Sequence, residues 1–303
     1  MSPQRRGVIW MLVSASAYSL FTVFGKNVLE ELGTLDVLFW RFAIAVPVAW
    51  LFIYVRYRRG GPHPLSVAWK PRFIAGVSFG LMAWMAFSGL DNLPGALYIV
   101  IIYTYPAMVA VGARLLGKPM PTQVWLAVGV VLLGIAFTVP EVIDGTGGAT
   151  LIGLVYTLGN ALLYAGYVLF SERLVTGTAG GDGLVASAWS LTGSLAFAAV
   201  IAPVSWPIDI PTSFAAASSM IGLGVISTVV ASMAFFLGVR HLGPAPAALI
   251  ASTEPVLTLI WIVLILDESL VPIQLLGAAL VITGVIWSQR AQTEMPTTQP
   301  TNA

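Results

Sequence analysis

Long apolar segments separated by short polar loops organise this chain from one end to the other. Ten segments come close to the roughly 20 residues that a helix needs to cross a bilayer, and they lie at about 8–27, 35–55, 73–92, 95–115, 123–140, 150–171, 184–205, 215–237, 246–266 and 271–288. They lack the alternation that is typical of barrel strands, and a backbone in lipid must satisfy its own hydrogen bonds. The pattern therefore predicts an all-α integral membrane protein with ten transmembrane helices.

The second half of the chain repeats the first. Residues 89–137 and 238–287 align at a shift of about 149–150, which places Thr-Tyr-Pro at 104–106 on Thr-Glu-Pro at 253–255. Each half holds five of the ten segments, so the second half must cross the bilayer in the opposite direction. Inverted repeats of this kind are typical of secondary transporters.

The same duplication predicts the domain boundaries. A polar, glycine-rich stretch follows the fifth segment and is the expected hinge, while the Thr- and Pro-rich C-terminus is typical of disordered chains. We therefore expect a first repeat over 1–144, an inverted second repeat over 145–290 and a disordered cytoplasmic tail over 291–303.

Composition and loop charge agree with a membrane protein and give its orientation. The chain is 58% hydrophobic and 9% charged, against roughly 25% charged in soluble domains, so lipid must solvate its surface. Basic residues cluster in alternate loops, whereas the opposite loops are acidic and hold Lys26 as their one base. By the positive-inside rule both termini are cytoplasmic. The basic cluster at 56–72 is then an orientation signal, and we expect no nucleic-acid partner.

The two halves also share features that identify a family. Each has a proline in its fourth segment, Pro106 or Pro255, and a fifth segment punctuated by glycines; the second half adds Glu-Pro-Val at 254–256 and Asp-Glu at 267–268. In these features the chain resembles the EamA-type carriers of the drug/metabolite transporter superfamily over about residues 7–288. The first repeat departs from the pattern, because Tyr105 stands where acidic residues are commoner.

The resemblance implies alternating access around a midplane pocket in a bacterial inner membrane. The aromatic content of that pocket makes the chain most similar to bacterial exporters of aromatic amino acids and related compounds. The partners implied are a small-molecule substrate and the lipid bilayer, with the protein either a monomer or a homodimer.

Two charged side chains lie well inside the apolar segments, away from their ends. Glu254 is about midway through the ninth segment, where a carboxylate is costly unless it faces a watery cavity, is paired or is protonated. It is a candidate for binding a substrate ammonium, for carrying a coupling proton or for pairing with Arg41. Arg41, in the second segment, either contributes to the site or extends outward to Asp36 or Asp91.

Matched aromatic and polar stripes complete the candidate site. At a shift of 146 the first segments of the two halves carry Ser14, Tyr18, Phe21 and Gly25 and then Asn160, Tyr164, Tyr167 and Ser171, all on one helical face. Such stripes suit an amphipathic aromatic ligand, although helix packing produces the same spacing. Thr104 and Thr253 lie beside carbonyls that the prolines leave without a helical donor. Trp84 is mid-segment, where it either stacks on substrate or fills space.

The predicted substrate-binding residues are therefore Ser14, Tyr18, Arg41, Trp84, Thr104, Asn160, Tyr164, Thr253 and Glu254, with Glu254 also the candidate for proton coupling.

Other classes of function fit less well. Both histidines, His63 and His241, fall in loops, cysteine is absent and there is no phosphate-binding loop, so we expect neither an enzyme nor a metal or other cofactor. A channel or passive scaffold explains ten helices but not the inverted duplication. A phosphate-ester exchanger needs several buried cations, for which the chain offers Arg41 and Lys26. We expect an exporter of aromatic or other apolar amino acids and related cationic compounds.

Overall fold

The computed structural model describes residues 2–93, 101–117, 121–138, 150–176, 182–266 and 272–293. Within these ranges all of the regular secondary structure is helical. The helices are α1 (Pro3–Ser19), α2 (Phe21–Leu29), α3 (Thr34–Arg58), α4 (Trp69–Asn92), α5 (Tyr105–Leu115), α6 (Thr122–Thr138), α7 (Leu151–Thr176), α8 (Gly183–Ile201), α9 (Phe214–Gly224), α10 (Ala231–Leu242), α11 (Pro244–Ala251), α12 (Glu254–Leu266) and α13 (Pro272–Thr293).

Each predicted apolar segment contains at least one of these helices, which confirms the all-α prediction for the described part of the chain. Six helical stretches are long and apolar enough to cross a membrane: Pro3–Leu29, Thr34–Arg58, Trp69–Gly89, Leu151–Ser171, Gly183–Ser205 and Phe214–Leu242. Two further apolar helices, Thr122–Phe137 and Leu275–Trp287, are shorter. The count of ten membrane spans stays a prediction. The expected hinge and most of the expected tail, at 139–149 and 294–303, lie outside the described residues.

The fourth and ninth segments are interrupted by turns immediately before their prolines. In the ninth segment α11 ends at Ala251, a turn follows at Ser252 and Thr253, and α12 begins at Glu254. In the fourth segment the corresponding turn is at Tyr103 and Thr104. A proline has no N–H to donate to the carbonyl four residues earlier, so the helix is weakest at this point. The eight and 13 residues of α11 and α12 are each too short to span a bilayer alone.

The eighth segment is interrupted in a different way. A π-helical turn, Val225–Val230, separates α9 from α10. The hydroxyl of Thr228 donates to the carbonyl of Leu223, five residues earlier, at 2.7 Å. This side-chain hydrogen bond satisfies a backbone acceptor within the widened turn, and such π turns are frequent at functional sites.

Helix pairs approach closely where one helix has a glycine. A Cβ on Gly134 of α6 would lie 2.7 Å from the backbone nitrogen of Val281 in α13, and one on Gly284 would lie 3.0 Å from the carbonyl of Ala127. Gly76 of α4 and Gly193 of α8 are equally crowded by the backbone of the other helix. Small residues permit the close backbone contact on which helix association in lipid depends.

The helix contacts recur between the two halves of the chain. Helix α1 packs on α10, and α7, at the equivalent position in the second half, packs on α4. Helix α1 also contacts α11 and α12 around the second interruption, while α7 contacts α5 beside the first. The two interrupted segments are thereby brought together near the middle of the structure, where α5 packs on α11.

Candidate substrate site

Glu254 lies at the point where the two interrupted segments meet. It is the first residue of α12 and is partly buried. The N–H groups and the dipole at the start of a helix favour a negative charge there. The Tyr103 side chain, from the turn in the first half, forms a hydrogen bond with the Glu254 carboxylate. The turn at Tyr103 and Thr104 has no carboxylate, and its tyrosine hydroxyl binds the carboxylate of Glu254, which follows the turn in the second half.

A cluster of tyrosines surrounds this carboxylate. The rings of Tyr105 and Tyr164 are 4.4 Å apart between centroids, and those of Tyr103 and Tyr105 are 6.2 Å apart. The Tyr105 hydroxyl donates to the carbonyl of Ala248 at 3.3 Å, linking α5 to α11. Glu254 acts electrostatically on both Tyr105 and Tyr164. The site therefore combines aromatic faces with one acidic group.

Arg41 lies at the other side of the same cluster. Its side chain is 5% exposed, and its Nε donates to the Thr228 hydroxyl in the π-helical turn at 2.8 Å. The guanidinium carbon lies 4.9, 5.4 and 5.9 Å from the ring centroids of Phe21, Phe42 and Phe79. Cation–π attraction of this kind stabilises a buried guanidinium, and Arg41 forms no ion pair with a carboxylate among the described residues.

Two of the structural explanations considered for Arg41, a direct pair with Glu254 and an outward contact with Asp36, do not describe its position. Its charge acts on Glu254 electrostatically, but among the described residues the two side chains form no direct ion pair. It does not extend outward to Asp36, because it points to Thr228 while Asp36 accepts a hydrogen bond from Ser205 at 3.1 Å. The side chain of Asp91 lies outside the described set. Arg41 and Glu254 are therefore two separate, opposite charges in one site.

The predicted stripe on α1 is divided between the site and the helix packing. Tyr18 lies within electrostatic reach of both Arg41 and Glu254, and its hydroxyl is 3.1 Å from that of Ser232. Ser14 is buried and donates to the carbonyl of Ala231 at 2.9 Å, which fastens α1 to α10. Tyr18 thus lies near Arg41 and Glu254, whereas the Ser14 hydroxyl forms a contact between two helices.

The other predicted residues have local surroundings. The Thr104 and Thr253 hydroxyls donate to the carbonyls three residues earlier, at 2.7 and 2.8 Å, and so stabilise the two turns. Asn160 is buried on α7. Trp84 packs edge-on against Tyr156, with centroids 5.6 Å apart. These contacts do not test a role in binding, and their assignment to the site stays a prediction.

Sequence reasoning missed several members of the cluster. Tyr103, Tyr105 and Thr228 were not proposed as site residues. The position of Tyr105 was visible in the repeat, since it aligns with Glu254. Thr228 carried no comparable signal, because its hydroxyl becomes useful only through the π-helical turn and the contact with Arg41.

Six apolar helical stretches that are long enough to cross a bilayer are typical of a multi-pass membrane protein. The EamA-like transporter family matches residues 5–139 and 151–289. The chain belongs to that family, within the drug/metabolite transporter superfamily.

Two proteins of similar sequence are also named as transporters. The uncharacterized transporter YcbK of Bacillus subtilis is 27% identical over 291 residues, which cover 92% of each protein. An uncharacterized transporter of Synechocystis sp. is 25% identical over 199 residues, which cover 65% of this chain and 59% of that protein. One crystal structure superposes with a TM-score of 0.80 at 16% identity, covering 96% of this chain and 100% of the other. That likeness concerns the fold alone.

Proposed function

We propose that this protein is a secondary transporter that exports small metabolites, chiefly aromatic or other apolar amino acids and related cationic compounds. It works by alternating access around the site that contains Glu254. The observation that carries the proposal is the position of this carboxylate, which stands at a helix interruption, within hydrogen-bond distance of Tyr103 and beside Tyr105 and Tyr164. A carboxylate among aromatic rings suits an ammonium group attached to an apolar body.

The proposed architecture is ten spans in two inverted five-helix repeats, at 1–144 and 145–290, with both termini in the cytoplasm of a bacterial cell. The recurrence of helix contacts supports it: the pairings of α1 with α10 and of α7 with α4 are related by exchange of the two halves. The paired interruptions support it as well, since interrupted helices at a repeat interface are typical of carriers.

Alternating access also needs contacts between the halves that form and break at the two ends of the site. At the predicted cytoplasmic end, Arg56 of α3 forms an ion pair with Asp182 at 2.7 Å, and Asp182 accepts hydrogen bonds from the first N–H groups of α8. At the predicted outer end, Glu31 accepts hydrogen bonds from Thr212 and Ser213. Each set joins the first half to the second, and each is polar and exposed enough to exchange with water.

A phosphate-ester exchanger is a less suitable assignment. A phosphate group is bound by several cations, and Arg41 is the one buried cation that the described part of the chain brings to this cluster. A channel is less suitable because the site is lined by bulky rings, and Tyr105 is fully buried between the halves.

Counterflow in liposomes tests the proposal. Purified protein is reconstituted into vesicles loaded with unlabelled phenylalanine, and entry of labelled phenylalanine, an aliphatic amino acid, an organic cation and a sugar phosphate is followed. We expect saturable entry of phenylalanine. Non-saturating ion flux would instead indicate a channel, and robust counterflow of the sugar phosphate would indicate an exchanger of phosphate esters.

A further inference from the structure

The two terminal nitrogens of Arg41, the fork of its guanidinium, have no hydrogen-bond partner among the residues that the structure describes. Among the described residues its hydrogen bond is the one from Nε to Thr228, which leaves the four N–H donors of Nη1 and Nη2. The Arg41 side chain is buried, with 5% of its surface exposed. A buried cation with unused donors is costly, so the arrangement indicates a ligand.

The chemistry of that ligand follows from the free fork. Two parallel N–H groups of a guanidinium match the two oxygens of a carboxylate. The Thr228 hydroxyl and the three phenyl rings fix the guanidinium from its other sides. Arg41 is therefore already oriented for a single planar anion before that anion arrives.

Glu254 provides the opposite pole of the same site. Arg41 and Glu254 both act electrostatically on Tyr18. The two side chains form no direct ion pair in the described structure, which leaves both without an ionic partner among the described residues. A ligand carrying both a carboxylate and an ammonium satisfies both poles at once.

We propose that the site requires a zwitterion, an α-amino acid whose carboxylate binds the free fork of Arg41 and whose ammonium binds Glu254. The apolar side chain of the substrate then lies against the tyrosine cluster. This inference rests on the proposed function and narrows it, because amines without a carboxylate become poor substrates. Thr228 is a positioning residue, since it holds Nε while the terminal nitrogens bind the substrate.

Three compounds of one size test the requirement for both charges. Phenylalanine, phenethylamine and 3-phenylpropionate compete with labelled phenylalanine in counterflow by the full-length protein. Phenethylamine lacks the carboxylate and 3-phenylpropionate lacks the ammonium. Because a hydrogen-bonded ionic contact contributes about tenfold or more to affinity, we expect phenylalanine to compete at a concentration at least about tenfold lower than either analogue.

The Arg41→Gln variant assigns the carboxylate contact. We expect it to lose affinity for phenylalanine at least about tenfold and to bind phenethylamine as the wild type does. The gap in affinity between the two compounds should therefore close. Arg41→Lys keeps the charge without the fork and should recover only part of the gap. Arg240→Gln, which removes an exposed arginine at the end of α10, is the matched control and should leave the gap unchanged.

Equal competition by phenylalanine and phenethylamine in the wild type would overturn the proposal, and so would a gap that persists in Arg41→Gln. If that variant does not fold, as judged by gel filtration, the wild-type comparison decides alone. The same compounds are also tested by the rise in unfolding temperature that they produce. If the wild type binds phenylalanine selectively but does not transport it, the zwitterion site stands and the transport function is wrong.

Discussion

Thr228→Val removes the hydroxyl that joins Arg41 to the π-helical turn. The side chain keeps its size and shape, but two hydrogen bonds are lost: one accepted from Arg41 Nε at 2.8 Å and one donated to Leu223 at 2.7 Å. A hydrogen bond to a charged group contributes about 1.5–3 kcal/mol and a neutral one about 1 kcal/mol. We therefore expect a loss of about 2–4 kcal/mol in the free energy of unfolding.

The chain provides a matched control at Thr192. Its hydroxyl accepts from Trp50 Nε1 at 2.8 Å and donates to the carbonyl of Ala188 at 2.8 Å. The geometry is the same, but the donor is neutral and Thr192 is only partly buried. Because both of its hydrogen bonds are neutral, Thr192→Val should cost about 2 kcal/mol or less. The difference between the two variants isolates the buried charge on Arg41.

Unfolding in mixed micelles titrated with sodium dodecyl sulfate measures both losses, with the fluorescence of the ten tryptophans as the signal. The reasoning is refuted if Thr228→Val is no less stable than Thr192→Val. In that case Arg41 would find another partner at little cost, and its present orientation would not be fixed by the π-helical turn.

Three further expectations concern other parts of the chain. Hydrogen bonds from the Ser213 side chain and from the backbone at Thr212 and Ser213 lower the pKa of Glu31 to about 2, below the ordinary value of about 4.3. Their contribution to the free energy of unfolding is therefore complete above about pH 5 and is lost as the pH falls towards 2. Glu31→Gln should unfold at a lower temperature than the wild type at pH 5, and this difference should narrow between pH 5 and pH 3. Cysteines at positions 2 and 295 of this cysteine-free chain should resist an impermeant maleimide added to intact cells, and labelling of either would contradict cytoplasmic termini. Tyr18→Ala or Tyr164→Ala should weaken competition by phenylalanine about tenfold and hardly affect that by alanine, because an aromatic contact adds about 0.5–1.5 kcal/mol beyond buried area; equal losses for both compounds would remove the tyrosines from the binding site.

The sequence predicted those parts of the fold that depend on local chemistry. Apolar length predicted the helices, and the missing N–H of Pro106 and Pro255 marked the places where a helical hydrogen bond is lost, beside which the two turns lie. Helical spacing placed Tyr18 and Tyr164 on faces that do meet the same cluster. Each of these features follows from neighbours in the chain, so a single sequence contains enough information to find it.

The contacts inside the site could not be predicted in this way. Arg41 and its partner Thr228 are 187 residues apart, and their meeting depends on how α3 packs against the π-helical turn. The pairing of Tyr103 with Glu254 likewise depends on the approach of the two interrupted segments. Ser14 lies on the predicted face, but its hydroxyl donates to the backbone of α10, a contact that helical spacing alone does not reveal.

The central claim is that Glu254 binds the transported compound, and Glu254→Gln tests it most directly. The amide preserves the shape of the side chain and removes its charge. Counterflow of labelled phenylalanine is measured for the wild type, for Glu254→Gln and for Glu30→Gln, which removes an exposed carboxylate just after α2, at several values between pH 6 and pH 8. We expect the counterflow rate of Glu254→Gln to fall at least about tenfold below that of the wild type in a folded protein, while Glu30→Gln transports at a rate comparable to that of the wild type. Wild-type counterflow by Glu254→Gln across this pH range would contradict the account and make Glu254 a structural residue.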